Sequence, residues 1–192
     1  MKQLRMKCEK IAPAAVHLRD GFSVIDSSSP LFTEEEFGVQ WAAICEELNE
    51  KYDEALYQSM MLSDPKVRED AILFVKDPSG KLISTSTVLL SDDPETAVLH
   101  MVGTRREAKG LGAGGAVCAA CINYAIAHGI KSMTLKTDEF RIPAIRIYYK
   151  LGFRPLLFEP DMRERWTGVM KEMGWEEFEV INEEGKTEAI RI

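Results

Sequence analysis

Apolar and polar positions alternate with two different periods along this chain, and the change from one to the other falls near its middle. Ala71-Ile-Leu-Phe-Val75 and the run Leu82 to Leu90 are apolar and β-branched, separated by Lys76-Asp-Pro-Ser-Gly80. That pattern predicts a hairpin. A shorter run, Phe22 to Asp26, follows Asp20-Gly21 and is closed by Ser27-Ser-Ser-Pro30, which predicts a first short strand. Glu95 to Val102 supplies a further strand. From Lys109 to His128 the pattern becomes Ala-rich and helical, ending at Gly129. Ser132 to Thr137 then reads as a strand, and Pro143 to Leu151 as a helix with Pro in its first turn and Gly152 as its stop. Upstream, the segment from Thr33 has an N-cap candidate, acidic residues in the first turn, and Phe37, Trp41, Ile44 and Leu48 at helical spacing.

Hairpin succession followed by strand, helix, strand, helix, strand predicts a mixed α/β sheet, with a ligand site where the strand order changes. Residues 1–192 read as a single domain. Trp175 to Ile192 is expected to be a strand-like or loosely packed appendage.

Charge and composition narrow the partners. The net charge is −7 and no long basic run occurs, so the electrostatic footprint of a sequence-independent nucleic-acid binder is missing. Neither a signal-peptide core nor a membrane-spanning run is present, so a soluble cytoplasmic protein without membrane partners is expected. Of Cys8, Cys45, Cys118 and Cys121, only the last two are closely spaced, and they lie inside the Ala-rich helical pattern. Buried reduced thiols are the expectation, with no metal.

The segment Lys109-Gly110-Leu111-Gly112-Ala113-Gly114-Gly115 joins an apolar strand to that helix. Glycines there permit a tight turn and close backbone approach at a helix N-terminus, where unsatisfied N–H groups and the helix dipole attract an anion such as a pyrophosphate. The ATP-binding loop would need Gly-Lys followed by Ser or Thr, and the dinucleotide fingerprint an early strand-loop-helix with an acidic residue after the following strand. Neither context is found. A tight structural turn is the competing reading.

Downstream lies Ala144-Ile-Arg-Ile-Tyr-Tyr-Lys-Leu-Gly-Phe153. The two segments together resemble the GNAT superfamily of acetyltransferases, whose pattern is Arg or Gln, two residues, Gly, one residue, Gly or Ala, followed later by a stretch close to Ala-x-x-Leu-Tyr-x-x-x-Gly-Phe. The resemblance covers roughly residues 70–160 and is strongest in 98–153. It implies a single mixed, mostly antiparallel twisted sheet with splayed central strands flanked by helices. It also puts Lys109 at the Arg/Gln position, Gly112 at the first glycine and Gly114 at the Gly/Ala position. The pyrophosphate of acetyl-CoA would then rest on backbone N–H groups across Lys109, Gly110, Leu111, Gly112, Ala113, Gly114 and Gly115. The backbone of Met101, Val102 and Thr104 would meet the pantetheine arm. Tyr148 stands where many relatives have a tyrosine near the thioester sulfur, suited to protonating the departing thiolate; a core tyrosine is the alternative. Two departures stand out: Lys109 lacks the guanidinium fork, and Arg141 takes the place of a common Asn.

For the general base, His100 is the candidate because its reference pKa lies near neutrality. Glu34, Glu35, Glu36 and Asp138 are acidic alternatives, although acids at a helix start usually serve the cap. The implied reaction is direct attack of a neutral primary amine on acetyl-CoA in a ternary complex, without a cysteine nucleophile. A small-molecule or amino-acid amine leads over a protein acceptor, and a non-catalytic CoA-binding sensor or interaction module is the rival. Arg154, Arg163 and Arg165 are candidates for holding an acidic group of the acceptor. A homodimer is left open.

Overall fold

A computed structural model describes residues 2–32, 55 and 63–191. The helix expected from Thr33, with Glu34, Glu35 and Glu36, and Cys45 as well, lie outside the described residues. Two compact units are formed, one from Ala12–Lys131 and the other from Met1–Ile11 with Ser132–Ile192.

In the first unit, β2 (Ser23–Asp26), β3 (Val67–Lys76), β4 (Leu82–Leu90) and β5 (Thr96–Thr104) lie side by side in that order, each pair antiparallel. The expected hairpin is β3–β4. Strand β4 is buried from Leu82 to Val88, and two of its hydroxyls turn to backbone: Ser84 donates to the Gly103 carbonyl at 2.9 Å and Thr85 to that of Leu73 at 3.1 Å. Helix α1 (Ala113–Ala127) covers these strands with small side chains, Ala113, Ala116, Val117, Cys118, Ala119 and Cys121, which allow a close approach to the sheet. The helix begins four residues later than the Ala-rich periodicity suggests, because Gly110 and Gly112 adopt left-handed backbone that a helix interior excludes.

In the second unit, β1 (Leu4–Cys8) pairs antiparallel with both β6 (Ser132–Thr137) and β7 (Arg154–Pro155). The strand expected to come first, at residues 22–26, is therefore the second; Leu4, Met6 and Cys8 face the core while Arg5 and Lys7 alternate with them. Helix α2 (Ile142–Lys150) buries Ile145 and Tyr148, and Gly152 at φ 94° stops it, with the Phe153 N–H returning to the Tyr148 carbonyl at 3.0 Å. A third helix, α3 (Met162–Glu172), and the hairpin β8 (Glu177–Ile181) to β9 (Thr187–Arg191) complete the unit. Trp175 to Ile192 thus contains an ordered hairpin whose Phe178, Val180 and Ile190 are buried. Overall the fold class is α/β, with seven mostly antiparallel sheet strands and flanking helices, as the sequence leads one to expect. Among the described residues, no helix is long and apolar enough to cross a membrane.

Candidate active site

Strand β5 is interrupted where the cofactor arm was expected. Its pairing with β4 runs Ser84 to Thr104 and Thr85 to Gly103, then resumes at Thr87 to His100, so Met101 and Val102 together face a single residue of β4. This is a β-bulge. Met101 carries it at φ 50°, the one left-handed non-glycine among the described residues, a conformation that costs of order 1–3 kcal/mol for such a side chain. Packing offsets part of that cost, since Met101 lies against the cluster of Ile25, Ile72, Phe74 and Leu82. Strain held by packing, on the strand leading into the glycine loop, is a feature that clusters at functional sites. Thr104 shares a hydroxyl contact of 2.9 Å with Ser84, so its side chain is engaged.

Beyond β5, the chain is pinned before it loosens. Arg105 donates its N–H to the Ile83 carbonyl at 2.9 Å and its Nε–H to that of Leu82 at 2.7 Å, gripping two consecutive residues of β4. A short 3₁₀ turn, Arg106–Ala108, follows. Gly110 at φ 81° and Gly112 at φ 86° then swing the backbone into α1, whose N-cap is Gly112 itself. The first helical bond runs from the Ala116 N–H to the Gly112 carbonyl at 3.0 Å, so the amides of Ala113, Gly114 and Gly115 precede the helical ladder. Among the described residues no side chain caps this end, and no acidic residue sits in its first turn. Among the described residues, a Cβ built on Gly110 or Gly115 would meet nothing within 4 Å, and one on Gly112 would meet the His17 carbonyl at 4.0 Å. Gly115 has ordinary helical backbone, so neither conformation nor crowding calls for glycine there. A glycine there leaves room for close approach to the backbone.

His100, Met101, Val102, Thr104 and the segment Lys109 to Gly115 all belong to the first unit, on one continuous strand, turn and helix entry. His100 is half-buried opposite Thr87. Tyr148 belongs to the second unit. It is 2% exposed and meets Phe153 edge-on at 6.3 Å between ring centres, so it contributes to the core as well as being a candidate acid. Its neighbour Tyr149 was not singled out by the sequence, yet its hydroxyl accepts the Glu179 N–H at 2.8 Å, Arg154 lies over its ring at 4.2 Å, and Trp175 meets it at 4.8 Å.

Three arginines considered for an acceptor's acidic group are already paired: Arg154 with Glu179 at 2.7 Å, Arg163 with Glu188, and Arg165 with Glu139 at 2.6 Å and Asp161 at 3.6 Å. Asp138 accepts from Gln3 at 3.2 Å. Cys8, Cys118 and Cys121 are buried and form no disulfide among the described residues. Burial pushes the Cys121 thiol up to about 12 and raises that of Cys8, so neither supplies a thiolate near neutral pH.

Comparison with known proteins shows the family and the fold. The family model described as the acetyltransferase (GNAT) family matches residues 38–153, more than half of the chain. A mycothiol acetyltransferase of Arthrobacter sp. (strain FB24) is 32% identical over 85 residues, which cover 42% of this chain and 26% of that protein. Among solved structures, the GCN5-related N-acetyltransferase from Sphaerobacter thermophilus superposes with a TM-score of 0.60 at 16% identity, over 81% of this chain and 49% of that one. The GCN5-related N-acetyltransferase from Kribbella flavida gives 0.55 at 18% identity, over 81% and 55%. The chain therefore corresponds to about half or less of each of these relatives.

Proposed function

Because the chain belongs to the acetyltransferase (GNAT) family, we propose that it transfers an acetyl group from acetyl-CoA to a primary amine of a small molecule or amino acid, by direct attack in a ternary complex. The observation that carries this reading is the uncapped entry to α1, where Gly115 faces open space with ordinary helical backbone. Amides of Ala113, Gly114 and Gly115 would hold the pyrophosphate, as the helix dipole favours. The bulged strand at Met101 and Val102 would present backbone to the pantetheine arm and the thioester.

In the reaction a neutral amine forms a C–N bond to the acetyl carbon while the C–S bond breaks. One proton leaves the attacking nitrogen, and one is gained by the departing thiolate. His100 is assigned the first transfer and Tyr148 the second, the latter on its place in the family's tyrosine motif. With Cys121 raised to about 12 and Cys8 also raised, an acyl-enzyme on either thiol is disfavoured. A small acceptor is the reading drawn from the relative named a mycothiol acetyltransferase. A cytoplasmic location fits the same reading.

The test is free-thiol release from acetyl-CoA across an amine library. Release with a small amine supports the proposal. Tight cofactor binding without release against any small amine, amino acid or peptide N-terminus would instead favour a sensor. Tyr148→Phe should lower turnover by about 10² to 10⁴-fold while the melting temperature barely moves. Unchanged turnover would return Tyr148 to the core.

A further inference from the structure

The segment that follows β1 has no counterpart in the two motifs that carry the family resemblance, yet it passes directly beside the glycine loop. Residues 12–20 form no helix or strand, and they are laid along α1 by a paired contact: the Ala14 N–H donates to Asn123 Oδ1 at 2.9 Å, and Asn123 Nδ2 donates back to the Ala14 carbonyl at 2.8 Å. Asn123 lies on the same helix whose first turn is the anion site. From that anchor the strand of chain runs toward the helix entry, bringing the His17 carbonyl to 4.0 Å from the position of a Cβ on Gly112. Two residues on, Arg19 Nη2 donates to the carbonyl of Gly110 at 3.4 Å.

We propose that Arg19 is a further cofactor-binding residue, a guanidinium carried by this N-terminal strap that grips the pyrophosphate of acetyl-CoA from outside the glycine loop. The proposal rests on reading the loop as the pyrophosphate site. Arg19 is exposed, and among the described residues its polar contact is the one with Gly110, which occupies a single N–H of five. The remaining fork matches two oxygens of a phosphate, a geometry that a lysine such as Lys109 cannot supply. The strap thus provides the fork that Lys109 lacks at the family's Arg/Gln position. Its contact with the Gly110 carbonyl brings the guanidinium to the rim of the loop, two residues from the N-cap of α1, so that its charge would add to the backbone donors of the helix entry.

The experiment is calorimetric titration of the full chain with CoA and with dephospho-CoA, which keeps the pyrophosphate and lacks the 3′-phosphate. Arg19→Ala should weaken both ligands by about tenfold, the loss of one charge-assisted pair, and the loss should shrink as salt is raised. Arg19→Lys should recover part of it. Asn123→Ala should weaken binding when Arg19 is present and add nothing once Arg19 is gone, because it acts by releasing the strap. A loss confined to CoA would place the arginine on the 3′-phosphate and overturn the assignment. Unchanged affinity for both ligands, while Gly115→Asp removes binding, would overturn the role of Arg19 and leave the loop reading intact. Failure of the unmodified chain to bind either ligand would overturn the loop reading, and the proposal with it.

Discussion

Two glycine-bearing turns of the first unit look alike in sequence and differ in what completes them. The β3–β4 turn closes on itself. Asp77 Oδ1 accepts the N–H groups of Ser79 and Lys81, each at 2.9 Å, and the Ser79 hydroxyl at 2.6 Å, while Gly80 at φ 89° returns its N–H to the Asp77 carbonyl at 2.9 Å. Every feature of that turn is explained by a partner within it. The β5–α1 turn differs: among the described residues its helix entry has no side-chain cap, and Gly115 has neither the positive φ nor the crowding that would demand glycine. A glycine that its own surroundings explain is architecture. One that they leave unexplained, beside amides preceding the helical ladder, is what the proposed pyrophosphate site would require.

If that contrast holds, damage to the first turn costs stability alone. Asp77→Ala removes the acceptor of those contacts and should cost about 1–2 kcal/mol in chemical denaturation without changing CoA affinity. A change in affinity would mean that the hairpin turn is not purely structural. Gly80→Ala forces a Cβ into left-handed backbone and should cost about 1 kcal/mol. Gly115→Ala should do the reverse, stabilising the unliganded chain by up to about 1 kcal/mol, because helical glycine is the poorer helix former.

Smallest of these effects is the pH response. The Ser79 hydroxyl, more than any other contact, holds the Asp77 carboxyl below its ordinary value, aided by the backbone N–H groups of Lys81 and Ser79. A carboxyl whose folded pKa is depressed contributes stability that is present above its unfolded value, about 4, and is lost as pH falls through the folded one. Asp77→Asn should therefore lower stability slightly at neutral pH, leave it unchanged at the acid end so that the acid limb of the profile flattens, and leave CoA binding unmoved. A loss of affinity at any pH would again contradict the division between the two turns.

How much of this was legible depended on how strongly each segment declared itself. Strand β4 falls at Leu82–Leu90 as expected, since nine apolar or β-branched and hydroxyl residues admit little else. The loop from Lys109 to Gly115 was readable because glycines mark turns, although its last three residues form the helix's first turn. Strand β1 escaped because five residues alternating with Arg5 and Lys7 carry a weak signal, and its burial comes from β6 and β7, which are remote in sequence. Helix α3 is rich in charge, and its buried face, Met162, Trp166, Val169 and Met170, is thin against that background. The bulge could not be read at all: left-handed backbone falls on Met101, which has no preference for it, while Gly103 two residues later stays in the strand. The engagement of Arg154, Arg163 and Arg165 by carboxylates likewise depends on tertiary placement.

The account stands or falls on the helix entry, and Gly115→Asp tests it most directly. Aspartate at this position in the first helical turn meets open space, improves helix propensity and puts negative charge at the positive end of the dipole. Thermal denaturation with and without CoA, alongside calorimetric titration, should find the unliganded variant at least as stable as the parent, while the stabilisation by CoA, about 2.7 kcal/mol at a hundredfold excess over Kd in the parent, disappears. Retained CoA affinity in a folded Gly115→Asp protein would contradict the assignment of this turn to the pyrophosphate.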